Sequence, residues 1–244
     1  MNPTDTFENN HGETVALPRL RIIARIYTDF PTKFGIPRQS GLCDLPAVIE
    51  FEKPFRNPDA LRGITDYSHL WLLWLFSEAI REGDGESFTP TVRPPRLGGK
   101  KRVGVFASRA PYRPNPIAIS CVKLESVRYD KEKGTVLTVS GIDMANNTPI
   151  YDIKPYIPMT DCHPEATEGY TAETKKKRLT PEFLNGTEEL LGDAAKSVRA
   201  FLEGDPRPAF EKEAEREYKV AFSGFDITFS VCDEIISVTN VKKL

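Results

Sequence analysis

No apolar run in the 244-residue sequence is long enough to cross a bilayer; the longest, from Leu70 to Phe76, falls far short of the roughly 20 residues a spanning helix requires. Histidine is scarce. The three residues form no His-x-x-x-His and no His-Glu pair, so no metal centre is expected. The four cysteines, Cys43, Cys121, Cys162 and Cys232, are scattered, which excludes a disulfide scaffold and predicts reduced thiols. The N-terminus carries Asp5, Glu8, Asn9 and Asn10 where a signal peptide would need an apolar core, so a cytoplasmic location is expected. A serine nucleophile elbow and a phosphate-cradling glycine loop are both missing, and Gly83-Asp-Gly85 follows polar residues rather than a strand. A Rossmann reading fails. The formal net charge of −2 gives no global attraction to nucleic acid, so such a partner must be met by a local patch.

What remains is ordinary globular composition, 39% hydrophobic and 28% charged. Residues 1–18 are polar and are expected to be disordered. Strands are predicted at Arg19 to Tyr27, Val48 to Phe51, His69 to Phe76, Arg102 to Ser108, Ile117 to Tyr129 and Thr135 to Ile142. Asp59 to Ile64 reads as a helical turn, and Asp130 to Gly134 as a hairpin connection. Many short strands with few helices predict a mainly β barrel or sandwich over residues 19–165. The composition then changes. Thr180-Pro181-Glu182 has the form of a helix start, followed by apolar residues at mostly helical spacing to Leu202. Tyr218 to Phe222, Phe225 to Val231 and Ile235 to Val241 alternate like a three-stranded meander, so residues 166–244 are expected to form a smaller α+β domain.

Chemistry concentrates between Ser87 and Leu124. That stretch holds Arg93, Arg96, Lys100, Lys101, Arg102, Arg109, Arg113 and Lys123 and no acidic residue. Charge alone would fit a solvated basic loop. The prolines and paired glycines favour a shaped site, because they fix a backbone that mere solubility does not require. In Arg113-Pro-Asn115-Pro, two X-Pro units hold the chain extended and present Arg113 and Asn115; an Asn amide can pair with an adenine edge. Further along, Asp152 and Lys154 share a face if the chain there is extended, and taken alone they read as a structural ion pair.

Several strings together resemble the TrmO (YaeB) family of tRNA methyltransferases, with its TsaA-like domain. They are Phe34-Gly-Ile-Pro-Arg-Gln39, Ser68-His-Leu-Trp71, Arg93-Pro-Pro-Arg-Leu-Gly-Gly99, Val103-Gly-Val-Phe-Ala-Ser-Arg109, Arg113-Pro-Asn-Pro116 and Asp152-Ile-Lys-Pro-Tyr156. Asp205-Pro-Arg-Pro208 is similar to the small domain of the family's longer members. The resemblance runs from about residue 19 onward, and its strings are specific in this order rather than singly. It implies a β-barrel enzyme that binds S-adenosylmethionine, works as a homodimer, and methylates the exocyclic nitrogen of N(6)-threonylcarbamoyladenosine at position 37, in the anticodon loop of tRNA.

By position, the resemblance places cofactor contacts at Ser40, Gly41, Leu42, Ser77, Glu78, Arg109, Cys121, Ile142, Asp143, Met144 and Ala145. Methyl transfer requires nitrogen, methyl carbon and sulfur to be held nearly in line while the nitrogen loses its proton. Asp143 or Asp152 is the expected proton acceptor, with Asn115 and Tyr156 orienting the base. Arg38, Arg96, Arg113 and Lys154 are expected to hold the threonyl carboxylate or nearby phosphates. Asn146-Asn147 departs from the family's Asp-Gly before Thr-Pro, a change that keeps left-handed turn chemistry, and residues 165–180 match nothing in the family pattern. Three other functions stay open: a noncatalytic RNA-binding module, a methyltransferase of this fold with a small-molecule substrate, and a hydrolase built on Asp143, Asp152, Asp161 and His163.

Overall fold

The computed structural model describes residues 6–16, 19–33, 35–80, 89–94, 97, 101–174, 178–207 and 216–244. Within the segment expected to be disordered, β1 (Thr6–Glu8) and β2 (Thr14–Ala16) pair as a short hairpin. The body of the chain then runs through β3 (Ala24–Tyr27), β4 (Pro46–Phe51) and β5 (His69–Leu75). A two-residue ladder of β6 (Thr91–Val92) with β7 (Val103–Gly104) follows, then β8 (Ile117–Asp130), β9 (Gly134–Ser140) and β10 (Thr148–Pro155). Six of these strands close into an antiparallel barrel in the order β10-β3-β4-β9-β8-β5. The expected barrel-or-sandwich is thus a barrel.

Alternation explains why these residues close. Along β5, Leu70, Leu72 and Trp74 are buried while His69, Trp71, Leu73 and Leu75 face the outside. Ile26, Ile49, Val122, Val139 and Ile150 fill the interior from the other strands. Burying each such aliphatic side chain stabilises the fold by about 1.5–3 kcal/mol. The β8–β9 hairpin turns where expected: Asp130 Oδ1 accepts from the N–H groups of Glu132 and Lys133, both at 2.9 Å, and Gly134 takes φ +76°.

Strand lengths are unequal, and this shapes the site. β8 pairs with β5 along Ile117 to Lys123 but meets β9 only from Lys123 onward. Residues 117–122 therefore have one edge that β9 does not cover. A bulge between Ile150 and Asp152 shifts β10 by one residue, so that Asp152 and Lys154 stand opposite Leu73 and Trp71 on the outer face.

Beyond β10 come the short helix α1 (Pro158–Asp161), β11 (Thr180–Phe183), α2 (Thr187–Leu191), α3 (Ala195–Glu203), β12 (Tyr218–Phe222), β13 (Phe225–Cys232) and β14 (Ile235–Lys243). Here the structure corrects three expectations. Thr180-Pro181-Glu182 is not a helix start but a strand, pairing in parallel with Ile235 to Val238 of β14. Pro181 is tolerated because β11 is an edge strand, and burial of Leu179 and Pro181 outweighs the local capping signal. The meander is consequently a four-stranded sheet, β11-β14-β13-β12. The single helical run is broken at Gly192, whose φ of +54° ends α2. Two more differences lie in the first part: the strand expected from Arg19 begins at Ala24, and of Arg102 to Ser108 only Val103–Gly104 is extended, Val105–Ala107 being a 3-10 turn. The four cysteines are free thiols. No helix among the described residues is long and apolar enough to cross a membrane.

Candidate active site at one end of the barrel

Antiparallel connectivity puts three connections at the same barrel end: residues 28–45 between β3 and β4, 76–116 between β5 and β8, and 141–147 between β9 and β10. Hydrogen bonds lock them together. The Gly41 N–H donates to the Gly141 carbonyl at 2.9 Å, and the Gly141 N–H to that of Leu45 at 3.1 Å. The Asn146 N–H reaches the Phe30 carbonyl at 2.8 Å, and Thr28 Oγ1 donates to the Met144 carbonyl at 3.3 Å. Asn147 adopts φ +63°, the left-handed geometry its residue type tolerates.

The uncovered edge of β8 is where these loops attach. Ser40 Oγ accepts the Cys121 N–H at 3.1 Å, taking the place a β9 carbonyl would have held. One residue earlier, Ser120 points inward, almost fully buried. Its Oγ accepts the indole N–H of Trp74 at 2.9 Å and donates to Asp143 Oδ1 at 2.5 Å. The Ser40 N–H also hydrogen-bonds the Asp143 carboxylate, and the Arg109 charge lies nearby. Burial pushes the Asp143 carboxyl up to about 6; the hydrogen bonds from Ser120 and Ser40 and the Arg109 guanidinium act in the opposite direction. Arg109 itself donates through Nη1 to Gln39 Oε1 at 2.5 Å, tying the basic excursion to the Ser40 loop.

Ser40, Gly41, Leu42, Arg109 and the 142–145 segment thus meet at the barrel end that holds this carboxylate, and Cys121 joins through its backbone N–H to Ser40 while its side chain lies on the outer face near Asp161. Within that segment Ile142 and Met144 are core side chains, so they can meet a ligand only through their peptide groups, whereas Asp143 and Ala145 are half-buried. Gly41 and Leu42 are exposed. Ser77 and Glu78 sit in the 3-10 turn Ser77–Ala79 at the same end, joined to it by the Phe76 N–H donating to the Pro116 carbonyl at 2.9 Å. Arg38 is half-buried in the Ser40 loop; Arg113 Nη1 donates to the Ser108 carbonyl at 3.2 Å, and Asn115 is exposed. Arg96 lies outside the described residues.

Asp152, Lys154 and Tyr156 do not join the Asp143 cluster. Asp152 and Lys154 lie on the outer face, on β10, two strands or about 10 Å of sheet from β8, and Tyr156 follows directly after that strand. Lys154 Nζ pairs with Asp152 Oδ2 at 2.9 Å, the ion pair their spacing suggests. Tyr156 lies 5.7 Å from the Trp71 ring and 6.2 Å from that of His69. The Trp71 indole N–H donates to Asp161 Oδ2 at 2.8 Å; the Ile157 N–H and then this indole hold the Asp161 carboxyl below its ordinary range. Burial, with Asp161 second, raises the Cys121 thiol, so it is a protonated side chain at neutral pH rather than a nucleophile. Among the described residues no group of three His, Cys, Asp or Glu side chains is placed to hold a metal ion.

Ser120 and Trp74 escaped sequence reasoning. A signal was present: in Ile117 to Val122 the inward positions are Ala118, Ser120 and Val122, and a hydroxyl at such a position requires a buried partner.

Two family models match the chain, the tRNA-methyltransferase O N-terminal domain over residues 25–162 and the TrmO C-terminal domain over residues 178–244. The Escherichia coli K12 tRNA (adenine(37)-N6)-methyltransferase is 35% identical over 221 residues, covering 86% of this chain and 92% of the relative. A putative S-adenosylmethionine-dependent methyltransferase, RcsF, of Pseudomonas aeruginosa is 36% identical over 84% of this chain and 89% of its own. The crystal structure of TrmO from P. aeruginosa superposes with a TM-score of 0.73 at 30% identity, covering 94% of this chain and 99% of that one.

Proposed function

The chain belongs to the TrmO family of S-adenosylmethionine-dependent tRNA (adenine-N6)-methyltransferases, and we propose that its substrate is tRNA carrying N(6)-threonylcarbamoyladenosine at position 37. The observation that carries the site assignment is the convergence of Ser40 and Arg109 on Asp143 at the barrel end, with Ser40 also holding the Cys121 N–H. That donor set suits S-adenosylmethionine: Arg109 offers a guanidinium for the carboxylate of its methionyl part, Asp143 a carboxylate, and Leu42 an exposed apolar side chain. When bound, the cofactor supplies an electrophilic methyl group on a sulfonium.

Asp143 is the proposed proton acceptor. A carboxyl titrating near 6 is ionised at neutral pH yet more basic than an exposed carboxylate, which suits removal of a proton from nitrogen. Ser120 and the Ser40 N–H fix its orientation. Asn115 would orient the base. Asp152 loses the role to Asp143, because it is engaged by Lys154 on the outer face. Arg38, Arg113 and Lys154 would hold anionic groups of the substrate, with Arg93, Lys101 and Arg102 exposed on the same basic excursion for the tRNA backbone. A homodimer is part of the proposal, resting on the family resemblance, and light scattering tests it.

The test is methyl transfer from labelled S-adenosylmethionine to tRNA prepared with and without the threonylcarbamoyl group. Label confined to the modified tRNA, at the adenosine beside the anticodon, supports substrate and chemistry together. Equal labelling of both tRNAs would discard the threonylcarbamoyl requirement.

A further inference from the structure

Ser40, Gly41 and Leu42 belong to the β3–β4 connection, residues 28–45, which has no helix or strand among its described residues. A connection of that length does not hold its own shape. Contacts to the barrel secure its beginning, through Thr28 and Phe30 to the 144–146 segment, and its later part, through Ser40, Gly41 and Leu45 to Cys121 and Gly141. The C-terminal unit holds the connection as well, at both of these parts and at Gly35 between them.

Four contacts make that attachment. The Phe30 ring is 5.0 Å from Phe222 and 5.9 Å from Phe201, and these two are themselves stacked at 4.5 Å. Gly35, at φ +82°, lies so close to Phe201 that a Cβ there would stand 2.6 Å from the ring, with Val220 3.6 Å away. Cys43 packs on Gly204, where a Cβ would be 2.6 Å from its sulfur. The Ser223 N–H points to the Asp29 carbonyl at 3.5 Å. The anchors at positions 29, 30, 35 and 43 bracket residues 38–42 from both sides, and three of them use side chains or missing side chains specific to this packing. The two units share one continuous apolar core through Phe30 and Cys43.

We infer that the C-terminal unit is a clamp that sets the cofactor-binding loop, with Phe201 and Gly35 as positioning residues for S-adenosylmethionine. The inference rests on the assignment of Ser40, Gly41 and Leu42 as cofactor contacts. It gives the unit a role in the methyl-donor half of the reaction rather than in tRNA capture. The clamp is apolar, so it acts by removing loop conformations, and its effect falls on cofactor affinity rather than on the chemical step.

Full-length Phe201→Leu, Gly35→Ala, Gly35→Ala/Phe201→Leu and Gly41→Val proteins test it, with Phe229→Leu, a buried β13 position stacked on Tyr218, as a core variant of the C-terminal sheet outside the four contacts. Thermal unfolding establishes that each is folded at the assay temperature. Phe201→Leu is expected to raise the calorimetric Kd and the KM for S-adenosylmethionine roughly tenfold, the scale of one lost aromatic contact, with kcat and the KM for tRNA unchanged. Gly35→Ala should weaken cofactor binding at least as much, and the double variant should recover part of that loss because the smaller side chain admits the methyl group. Phe229→Leu should lower stability without moving cofactor affinity. Gly41→Val separates the two levels. If it abolishes cofactor binding while Phe201→Leu and Gly35→Ala bind as tightly as the wild type, the clamp is overturned alone. If Gly41→Val itself binds normally, the loop assignment falls and the clamp with it.

Discussion

Ser120 Oγ donates to Asp143 Oδ1 at 2.5 Å while accepting from Trp74, so the candidate base is oriented from inside the barrel rather than from solvent. Such an arrangement restrains the carboxylate from behind, together with the Ser40 N–H. Asp143→Asn is expected to cut single-turnover methyl transfer by about 10²-fold or more. Its effect on stability should have the opposite sign. The folded protein binds a proton at Asp143 up to pH about 6, above the ordinary carboxyl range, so the ionised carboxyl destabilises the fold above that pH. The Asn variant should therefore melt higher than wild type near pH 8, and the difference should vanish towards pH 4. A variant that melts lower at both pH values would count against a buried, strained carboxylate.

Lys154 and Asp152 separate structure from substrate binding in another way. Their ion pair is largely exposed, with 62% and 44% of the side chains accessible, and such pairs contribute about 0–1 kcal/mol. Lys154→Met should leave the melting temperature nearly unchanged. If Lys154 holds a substrate anion, the KM for tRNA should rise, and its logarithmic salt dependence should lose roughly one charge contact. An unchanged KM across the salt series would remove Lys154 from the substrate set.

How much of this was legible beforehand follows residue by residue from the reach of the forces involved. A short, almost wholly apolar and aromatic run located β5, but as a strand buried on both faces; the structure buries only Leu70, Leu72 and Trp74 fully, because the other face of a closed barrel looks outward. Thr180-Pro181-Glu182 misled because a capping pattern is local, while its partner strand begins at Ile235, beyond any local window. The ordered strings of the family resemblance brought Ser40, Arg109, Cys121 and Asp143 into one set; in the barrel Ser40, Arg109 and Asp143 stand on connections at one end, and Cys121 lies on β8 with its N–H on Ser40. Nothing in one dimension could place Asp152 apart from Asp143; that separation depends on β5 lying between β8 and β10 and on the bulge after Ile150. Phe201 likewise carried only helical periodicity, and its contact with Gly35 is a matter of tertiary packing alone.

Gly141 meets Gly41 across the site. At φ +79° it occupies a conformation that costs a residue with a side chain about 1–2 kcal/mol, and a Cβ would stand 3.4 Å from the Gly41 nitrogen. Gly141→Ala should lower the melting temperature modestly and also lengthen the hydrogen bond between the Gly41 N–H and the residue 141 carbonyl. The second effect displaces the cofactor loop, so affinity for S-adenosylmethionine should fall. Calorimetry of cofactor binding alongside thermal unfolding checks both, and a loss of stability with unaltered affinity would mean that the contact supports the fold only.

The pH dependence of the reaction gives the sharpest test of Asp143, because two neighbours should move it in the same direction. As proton acceptor it must be ionised, so single-turnover rate at saturating substrates should rise with pH through a midpoint near 6 and level off above it. The Ser120 hydroxyl stabilises the ionised carboxylate by hydrogen bonding, and Arg109 stabilises it by charge; each opposes the larger effect of burial. Removing either leaves burial less opposed and raises the carboxyl further. Ser120→Ala and Arg109→Gln should therefore both shift the midpoint to higher pH, with lower rates at pH 6.5 and partial recovery at pH 8. Arg109→Gln should also weaken cofactor binding, whereas Ser120→Ala, buried and behind the carboxylate, should leave it close to wild type. A wild-type midpoint that neither substitution moves would assign the titration to another group and withdraw Asp143 as the base.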